Sequence, residues 1–387
     1  RPSVQMPDLS FISARREQLR ALIITHAHED HLGALPYLWE QLRCPVYATP
    51  FTMAVLRRKL EEAGFAGKVP LHEMPLSGEA SVGPFDLRLV TVTHSIPEPN
   101  AVVIKTGAGT LFHTADWKLD PDPLIGDVTN EAALRAIGDA GVLALIGDST
   151  NATVEGAAGS EAEVRDSLMD LVGSFTERVA FACFASNVAR VQTVAEVAHA
   201  HGRVVGLVGR SLWRMTDAAR ATGYLHDLPP FVREDEAMLL PRDKVALICT
   251  GSQGEPRAAL SRIARDDHPN IALDDDDTVI FSSRIIPGNE VPISRLQNQL
   301  TSMGVRVITE KDHFVHVSGH PARDELRQMY QWIRPRIAVP VHGEVHHLRA
   351  HSALAAECQV PHTPIIENGD VLRLGGNIDG KPGGGLA

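Results

Sequence analysis

The sequence predicts an α/β protein of two domains, and three observations predict it. Its 387 residues exceed what one hydrophobic core usually organises. A His/Asp cluster and several further polar residues stand at the carboxyl ends of short apolar runs, in the order strand, turn, helix. Beyond about residue 150, strand-like and helix-like stretches alternate, as they do in a parallel sheet flanked by helices.

Taken in order, the apolar run Ala21-Leu22-Ile23-Ile24 reads as a strand that ends at Thr25 and hands over to His26-Ala27-His28-Glu29-Asp30-His31. A helix-like stretch from Leu32 to Leu42 leads to a short strand, Val46 to Ala48. Residues 85 to 116 read as a meander. Phe85, Leu87 and Leu89 alternate, a proline-containing turn follows His94, and Val102 to Lys105 and Leu111 to Thr114 flank a Gly107-Ala108-Gly109 turn. The run Val142 to Ile146 ends at Asp148, again a polar residue at a strand end.

The alternating series follows: strand Arg178 to Phe184, a helix through about residue 200, strands Val204 to Leu207 and Val245 to Cys249, and a further helix. It continues with Val279 to Phe281, a helix from about Glu290, and Val305 to Ile308. A helix from Pro321 to Ile333 then leads to the strand Ile337 to Val341 and to His342. The acidic run Asp274 to Asp277 reads as a solvated turn, and the glycine-rich residues 376–387 as a flexible tail.

A hydrophobic content of 44% fills two cores, and no apolar run approaches the roughly 20 residues that span a bilayer. No secretory signal is visible in a chain that opens with Arg1-Pro2. Cys44, Cys183, Cys249 and Cys358 are widely spaced and lie in or beside apolar stretches, so they read as buried thiols of a reducing, cytoplasmic compartment. A formal net charge of −11 counts against a nucleic-acid partner when taken alone. Divalent cations bound in a groove supply their own positive field, so the acidity does not exclude one.

His26, His28, Asp30 and His31 place three imidazoles and a carboxylate within one turn, and these are donors that zinc favours. Burying so many polar groups without an ion is costly, whereas a single histidine at one of these positions reads as an ordinary packed or surface residue. Three further candidates stand at other strand ends. His94 otherwise serves as a turn residue, Asp116 as a turn or helix cap, and His342 as a helix-start residue.

With these residues in place the chain resembles the metallo-β-lactamase superfamily, whose H-x-H-x-D-H signature the cluster matches. It is similar in particular to the bacterial ribonuclease J family of the β-CASP branch. The matching stretches occur in the expected order: Thr25 to His31, His94 to Glu98, Thr114 to Asp120, Gly147 to Ala152, Phe184 to Arg190, Thr250 to Pro256, Ser282 to Glu290, His316 to His320 and Pro340 to Glu344.

The resemblance implies an αββα sandwich made by residues 1–150 and 319–375, interrupted by a parallel α/β β-CASP domain at 151–318. It also implies that the family's amino-terminal strands and small carboxyl-terminal domain are missing from this sequence. It puts His26, His28 and His94 on one ion and Asp30, His31 and His342 on a second, with Asp116 bridging. Zinc is the expected metal, and manganese suits the same N/O donors. Asp148, Ser318, His320 and His342 fall in motifs of the branch, the last accompanying RNA rather than DNA.

Two such ions suit in-line hydrolysis of a phosphodiester. Asp30 is then expected to orient the hydroxide or accept its proton, and Asp148 to fix a ligand histidine. His320, with Ser318 and the helix amides after Pro321, is expected to receive a phosphate oxygen. Ser186 and Asn187 in one strand-end turn, Ser252 and Gln253 in another, and Arg190 and Arg284 are expected to form a phosphate-binding wall, although Ser and Asn are also ordinary caps. The implied function is 5′→3′ exonucleolytic cleavage of single-stranded, 5′-monophosphorylated RNA with endonucleolytic capability, in a homodimer or larger oligomer of the full-length protein. The rivals are a DNA-processing β-CASP nuclease and an RNA-binding subunit without catalysis.

Overall fold

The computed structural model describes residues 8–375, and the expected tail at 376–387 lies outside the described residues. The first strands are β1 (Leu22–Ile23), β2 (Val46–Ala48), β3 (Leu71–Glu73), β4 (Glu79–Val82), β5 (Phe85–Thr91), β6 (Asn100–Thr106), β7 (Gly109–His113) and β8 (Ala144–Asp148). They form a parallel β1-β2-β3 sheet and, with β14 (Ile337–Val341), a mixed sheet ordered β14-β8-β7-β6-β5-β4. Its edge strand β14 comes from the far end of the chain and pairs parallel to β8, with Val341 opposite Asp148.

Strand alternation explains the layering. Leu87 and Leu89 of β5 and Val102 of β6 face the small sheet and bury against Ile23 and Tyr47. Their sequence neighbours Val90, Ala101 and Val103 point the other way. There they meet the helices Glu131–Ala140, Arg323–Ile333 and Val345–Glu357 through Leu134, Leu326, Met329 and Leu354. The helices Leu35–Leu42 and Pro50–Glu62 pack Leu38, Phe51 and Leu56 with Val46 and Ala48 of the small sheet. The arrangement is the αββα sandwich of the metallo-β-lactamase fold.

The remaining strands, β9 (Val179–Ala182), β10 (Val204–Val208), β11 (Val245–Cys249), β12 (Thr278–Phe281) and β13 (Arg306–Ile308), form a sheet ordered β10-β11-β9-β12-β13. Every neighbouring pair is parallel. β9, β11 and β12 are buried along their whole length, which is why they read as continuous apolar runs rather than alternating ones. One face is covered by the helices Glu161–Val172, Val188–Ala200 and Arg210–Ala221, the other by Ala259–Ile263 and Glu290–Ser302.

Several expectations need correction. The helix after Pro321 starts at Arg323. The Thr250–Gly254 turn does not open a helix, because Gly251 adopts a φ of 109° and the next helix begins only at Ala259. The acidic run is not a solvated turn throughout, since Asp277 is fully buried and accepts hydrogen bonds from Arg178 and Arg242. The helix Pro50–Glu62 went unread because its apolar positions are interleaved with a run of Arg, Lys and Glu, although Pro50 at its first turn is a start signal.

Candidate metal centre

Each polar residue at a strand end reaches the same point. The backbone leaves β1 at Thr25, whose carbonyl accepts from the Asn100 amide and side chain, and the next six residues curl into the short helix Glu29–Leu32. This turn delivers His26, His28, Asp30 and His31. His94 arrives beyond β5, Asp116 after β7, Asp148 at the end of β8, and His342 just after β14. Ala115 and His342 hold φ angles of 50° and 56°. Left-handed backbone at a non-glycine residue costs free energy of order 1–3 kcal/mol and is kept where the surroundings over-determine it.

Asp116 is the common centre. One of its oxygens lies 3.1 Å from His31 Nε2, 3.6 Å from His26 Nε2, 3.7 Å from His342 Nε2 and 3.9 Å from His94 Nε2. Three groups of donor atoms share it: His26, His28 and His94; Asp30, His31 and His342; and Asp148, His320 and His342. His94 Nε2 lies 3.0 Å from His28 Nδ1, and Asp30 lies 3.2 Å from His342 Nε2. Donors bound at about 2.0–2.1 Å around one tetrahedral ion stand about 3.3 Å apart, so these separations fit shared coordination.

Neighbouring groups choose the donor atom. His94 Nδ1 is 2.5 Å from the Gly319 carbonyl and donates to it, which leaves Nε2 as the lone-pair nitrogen facing the centre. A Cβ at Gly319 would stand 2.7 Å from that Nδ1, so only glycine permits the approach. His342 Nδ1 lies 2.9 Å from the Thr150 hydroxyl, which itself donates to Asp148. His26 Nε2 is buried with no hydrogen-bond partner among the described residues. A buried imidazole nitrogen without a partner is costly unless a cation takes its lone pair.

The protonation states suit a cation as well. Burial holds His26 down to about 4 and His28 to about 3, so both are neutral donors at neutral pH. Burial alone would raise Asp116, but the imidazoles crowded against it, His26 at 3.6 Å and His31 at 3.1 Å, hold it far below the ordinary carboxylate range. Burial opposes charge on His342 too, yet Asp148 and Asp30 push it up to about 11. An imidazole so surrounded takes up whichever cation is offered, proton or metal ion. The His/Asp cluster is therefore a divalent-metal site.

Asp148 Oδ2 accepts from His320 Nδ1 at 2.7 Å, and its other oxygen lies 3.5 Å from His342. Burial alone would lower the His320 pKa, but the Asp148 carboxylate raises it above the ordinary value. The ring stacks on that of His342 with centroids 5.6 Å apart, which sets His320 beside the donor cluster.

The expected phosphate wall assembles only in part. Arg284 is exposed and donates to Asn151. Arg190 is 0% exposed, and its guanidinium is spent on Glu161, Ser282 and Val315, so it cannot reach a substrate. Asn187 caps its own helix by accepting from Arg190 N–H, while Ser186 is half-buried beside it. Ser252 and Gln253 are buried as well, and Gln253 braces the Arg284 loop by donating to the Arg284 carbonyl and accepting from Ile286. Nor are the helix amides after Pro321 free. Ala322 N–H donates to Glu325, Arg323 N–H to the Val154 carbonyl and Asp324 N–H to that of Gly156. Thr150, Asn151 and Gly319 went unread as site residues. For Thr150 and Asn151 the signal was the Asp148-Ser149-Thr150-Asn151 run, an uninterrupted polar stretch after a buried strand, and for Gly319 its place in the stretch His316 to His320.

Three families match successive parts of the chain: the beta-lactamase superfamily domain at residues 3–145, the ribonuclease J beta-CASP domain at 176–300, and the Zn-dependent metallo-hydrolase RNA specificity domain at 304–362. With the sandwich, the parallel insert and the His/Asp centre, they define a protein of the β-CASP branch of the metallo-β-lactamase superfamily. Among curated relatives, the chain is 49% identical to ribonuclease J of Sinorhizobium meliloti over 95% of its length and 65% of the relative's. It is 44% identical to that of Mycolicibacterium smegmatis, over 94% of its own length and 66% of the relative's. The chain belongs to the ribonuclease J family. It spans just under two thirds of the length of these relatives. A crystal structure of a protein of unknown function from Enterococcus faecalis shares the fold, with a TM-score of 0.60 at 16% identity, covering 97% of this chain and 91% of that one.

Proposed function

We propose that this chain is a metal-dependent ribonuclease that binds single-stranded RNA and hydrolyses it to products carrying 5′ phosphates. It acts 5′→3′ from a 5′ monophosphate and also cleaves internally. The observation that carries this reading is the convergence of two donor groups on Asp116 with the His320–Asp148 pair set against them. The names of the relatives and the RNA specificity domain support RNA as the polymer.

His26, His28 and His94 would hold one ion and Asp30, His31 and His342 a second, with Asp116 shared; zinc is the favoured metal and manganese the alternative. Bound there, divalent cations make water a nucleophile at neutral pH and neutralise charge on phosphoryl oxygens. Asp30, with its side chain 61% exposed, orients the attacking water and accepts its proton. Asp148 favours the cationic form of His320, which donates from Nε2 to the phosphoryl oxygen as charge builds there. Asp148 also keeps His342 in place. Ser318 and Arg284 contact the phosphate, and Ser186 faces the flanking nucleotides.

Residues 1–150 with 319–375, and 151–318 between them, would act as two domains with the RNA in the cleft. The full-length protein would be a cytoplasmic homodimer or larger oligomer. Cleavage of matched 5′-monophosphorylated RNA, 5′-hydroxyl RNA and DNA strands tests the reading. The monophosphorylated RNA should be degraded fastest, with the DNA resistant. Equal cleavage of DNA would point to a DNA-processing enzyme, and RNA binding without hydrolysis by the metal-loaded chain to a binding subunit.

A further inference from the structure

A serine hydroxyl has one proton to give and two lone pairs to receive. At Ser318 both lone pairs are taken: Asn151 Nδ2 donates to Oγ at 2.8 Å, and the His320 main-chain N–H donates to the same oxygen at 3.2 Å. No acceptor for the hydroxyl proton is found among the described residues. That hydroxyl is therefore left with one role, that of a donor.

The orientation of the Asn151 amide follows from its partners. Arg284 carries donors only, so the Asn151 atom 2.7 Å from its Nη1 is the oxygen. The His320 carbonyl only accepts, and it lies 3.1 Å from the other atom, which is the nitrogen. Asn151 is 2% exposed, and its partners come from two other stretches of chain, Arg284 after β12 and Ser318 and His320 before the helix Arg323–Ile333. Ser318 adjoins Gly319, whose carbonyl holds His94, and His320, which pairs with Asp148.

We infer that Asn151 is a positioning residue that locks the Ser318 hydroxyl as an obligate hydrogen-bond donor to a phosphoryl oxygen at the metal centre, with Arg284 fixing which way the amide faces. The inference rests on the proposed phosphodiester hydrolysis. Asn151 touches no substrate; it decides what Ser318 is able to do. Replacing its N–H by a carboxylate oxygen of the same shape gives the Ser318 proton an acceptor inside the protein and turns it away from the substrate.

The test compares Asn151→Asp, Asn151→Ala, Ser318→Ala and the two double variants of the full chain, with metal content and thermal unfolding measured on each. Asn151→Asp should lower kcat on RNA by about as much as Ser318→Ala, on the order of 100-fold, as removal of one oxyanion-type donor does. KM, metal content and unfolding temperature should stay close to those of the parent. Asn151→Ala, which frees the hydroxyl to rotate, should lose less. In the Ser318→Ala background neither Asn151 change should cost anything further.

A parent-like kcat for Asn151→Asp would overturn the inference. So would a loss that persists undiminished in the Ser318→Ala background, since the added charge would then act by itself. Binding of inorganic phosphate to the metal-loaded chain, followed by calorimetry, gives a readout independent of turnover. Asn151→Asp and Ser318→Ala should weaken it equally and not additively. If the parent cleaves no RNA, the functional reading fails, and the phosphate titration still decides this one: unchanged affinity in both variants overturns it.

Discussion

His94 owes its usable nitrogen to one main-chain carbonyl, that of Gly319, and the contact leaves no room for a side chain. Gly319→Ala should therefore push the imidazole out of place and weaken metal affinity about 10–100-fold with little change in unfolding temperature, which metal titration of the purified variant would measure. Asp148 sets the charge of His320 in the same indirect way. With the His320 pKa raised in the folded protein, its cationic form is lost only as pH rises through that elevated value. Asp148→Asn should move the alkaline fall of kcat/KM to lower pH; a fall at the parent pH would show that the pair does not control this step. The residues that converge on Asp116 were legible because each stands at or just beyond the end of an apolar run. Gly319 and Asn151 were not, since their work is done on residues remote in sequence, and a single Gly or Asn in a loop gives no sign of that.

The helix Val188–Ala200 is one of the elements that join the inserted sheet to the sandwich. Its first turn donates from Ala189 N–H to the Ser95 carbonyl, next to His94, while Arg190 grips Glu161, Ser282 and the Val315 carbonyl. The Ser-Asn-x-x-Arg turn looks the same in sequence whether its arginine faces solvent or core. Only the arrival of Glu161 from the preceding helix, with Thr193 and Arg190 both bound to it, draws the guanidinium inward. Arg190→Ala leaves Glu161 charged and buried without its partner and should destabilise the protein by about 3–5 kcal/mol in denaturant unfolding. A change below 1 kcal/mol would contradict the burial argument. The parallel strands were readable as elements because full burial makes them continuously apolar. Their turns were readable as loops, but the direction of each polar side chain was not.

At the scale of the whole molecule, the chain closes by returning β14 to the edge of the first sheet, which sets His342 beside Asp148. The helices flanking that return meet at His351, whose ring bridges the Ser149 and Tyr330 hydroxyls, each at 2.8 Å. Burial lowers its pKa to about 4 from the ordinary 6.5. A depressed histidine stabilises the fold above 6.5 and loses that contribution as pH falls toward 4, here by up to about 3 kcal/mol. Unfolding free energies from denaturant titrations should accordingly fall less between pH 6.5 and 4 for His351→Gln than for the parent. The return of β14 was foreshadowed by the strand pattern at 337–341 and by the family resemblance. In the function proposed here, a two-ion site centred on Asp116 hydrolyses RNA. Its most direct test is the metal content of the purified chain and of Asp116→Ala, measured together with cleavage of a 5′-monophosphorylated RNA. Close to two divalent ions per parent chain are expected, and the variant should lose both the ions and the cleavage. Cleavage that survives complete metal removal, or a variant that keeps both ions and full turnover, would contradict it.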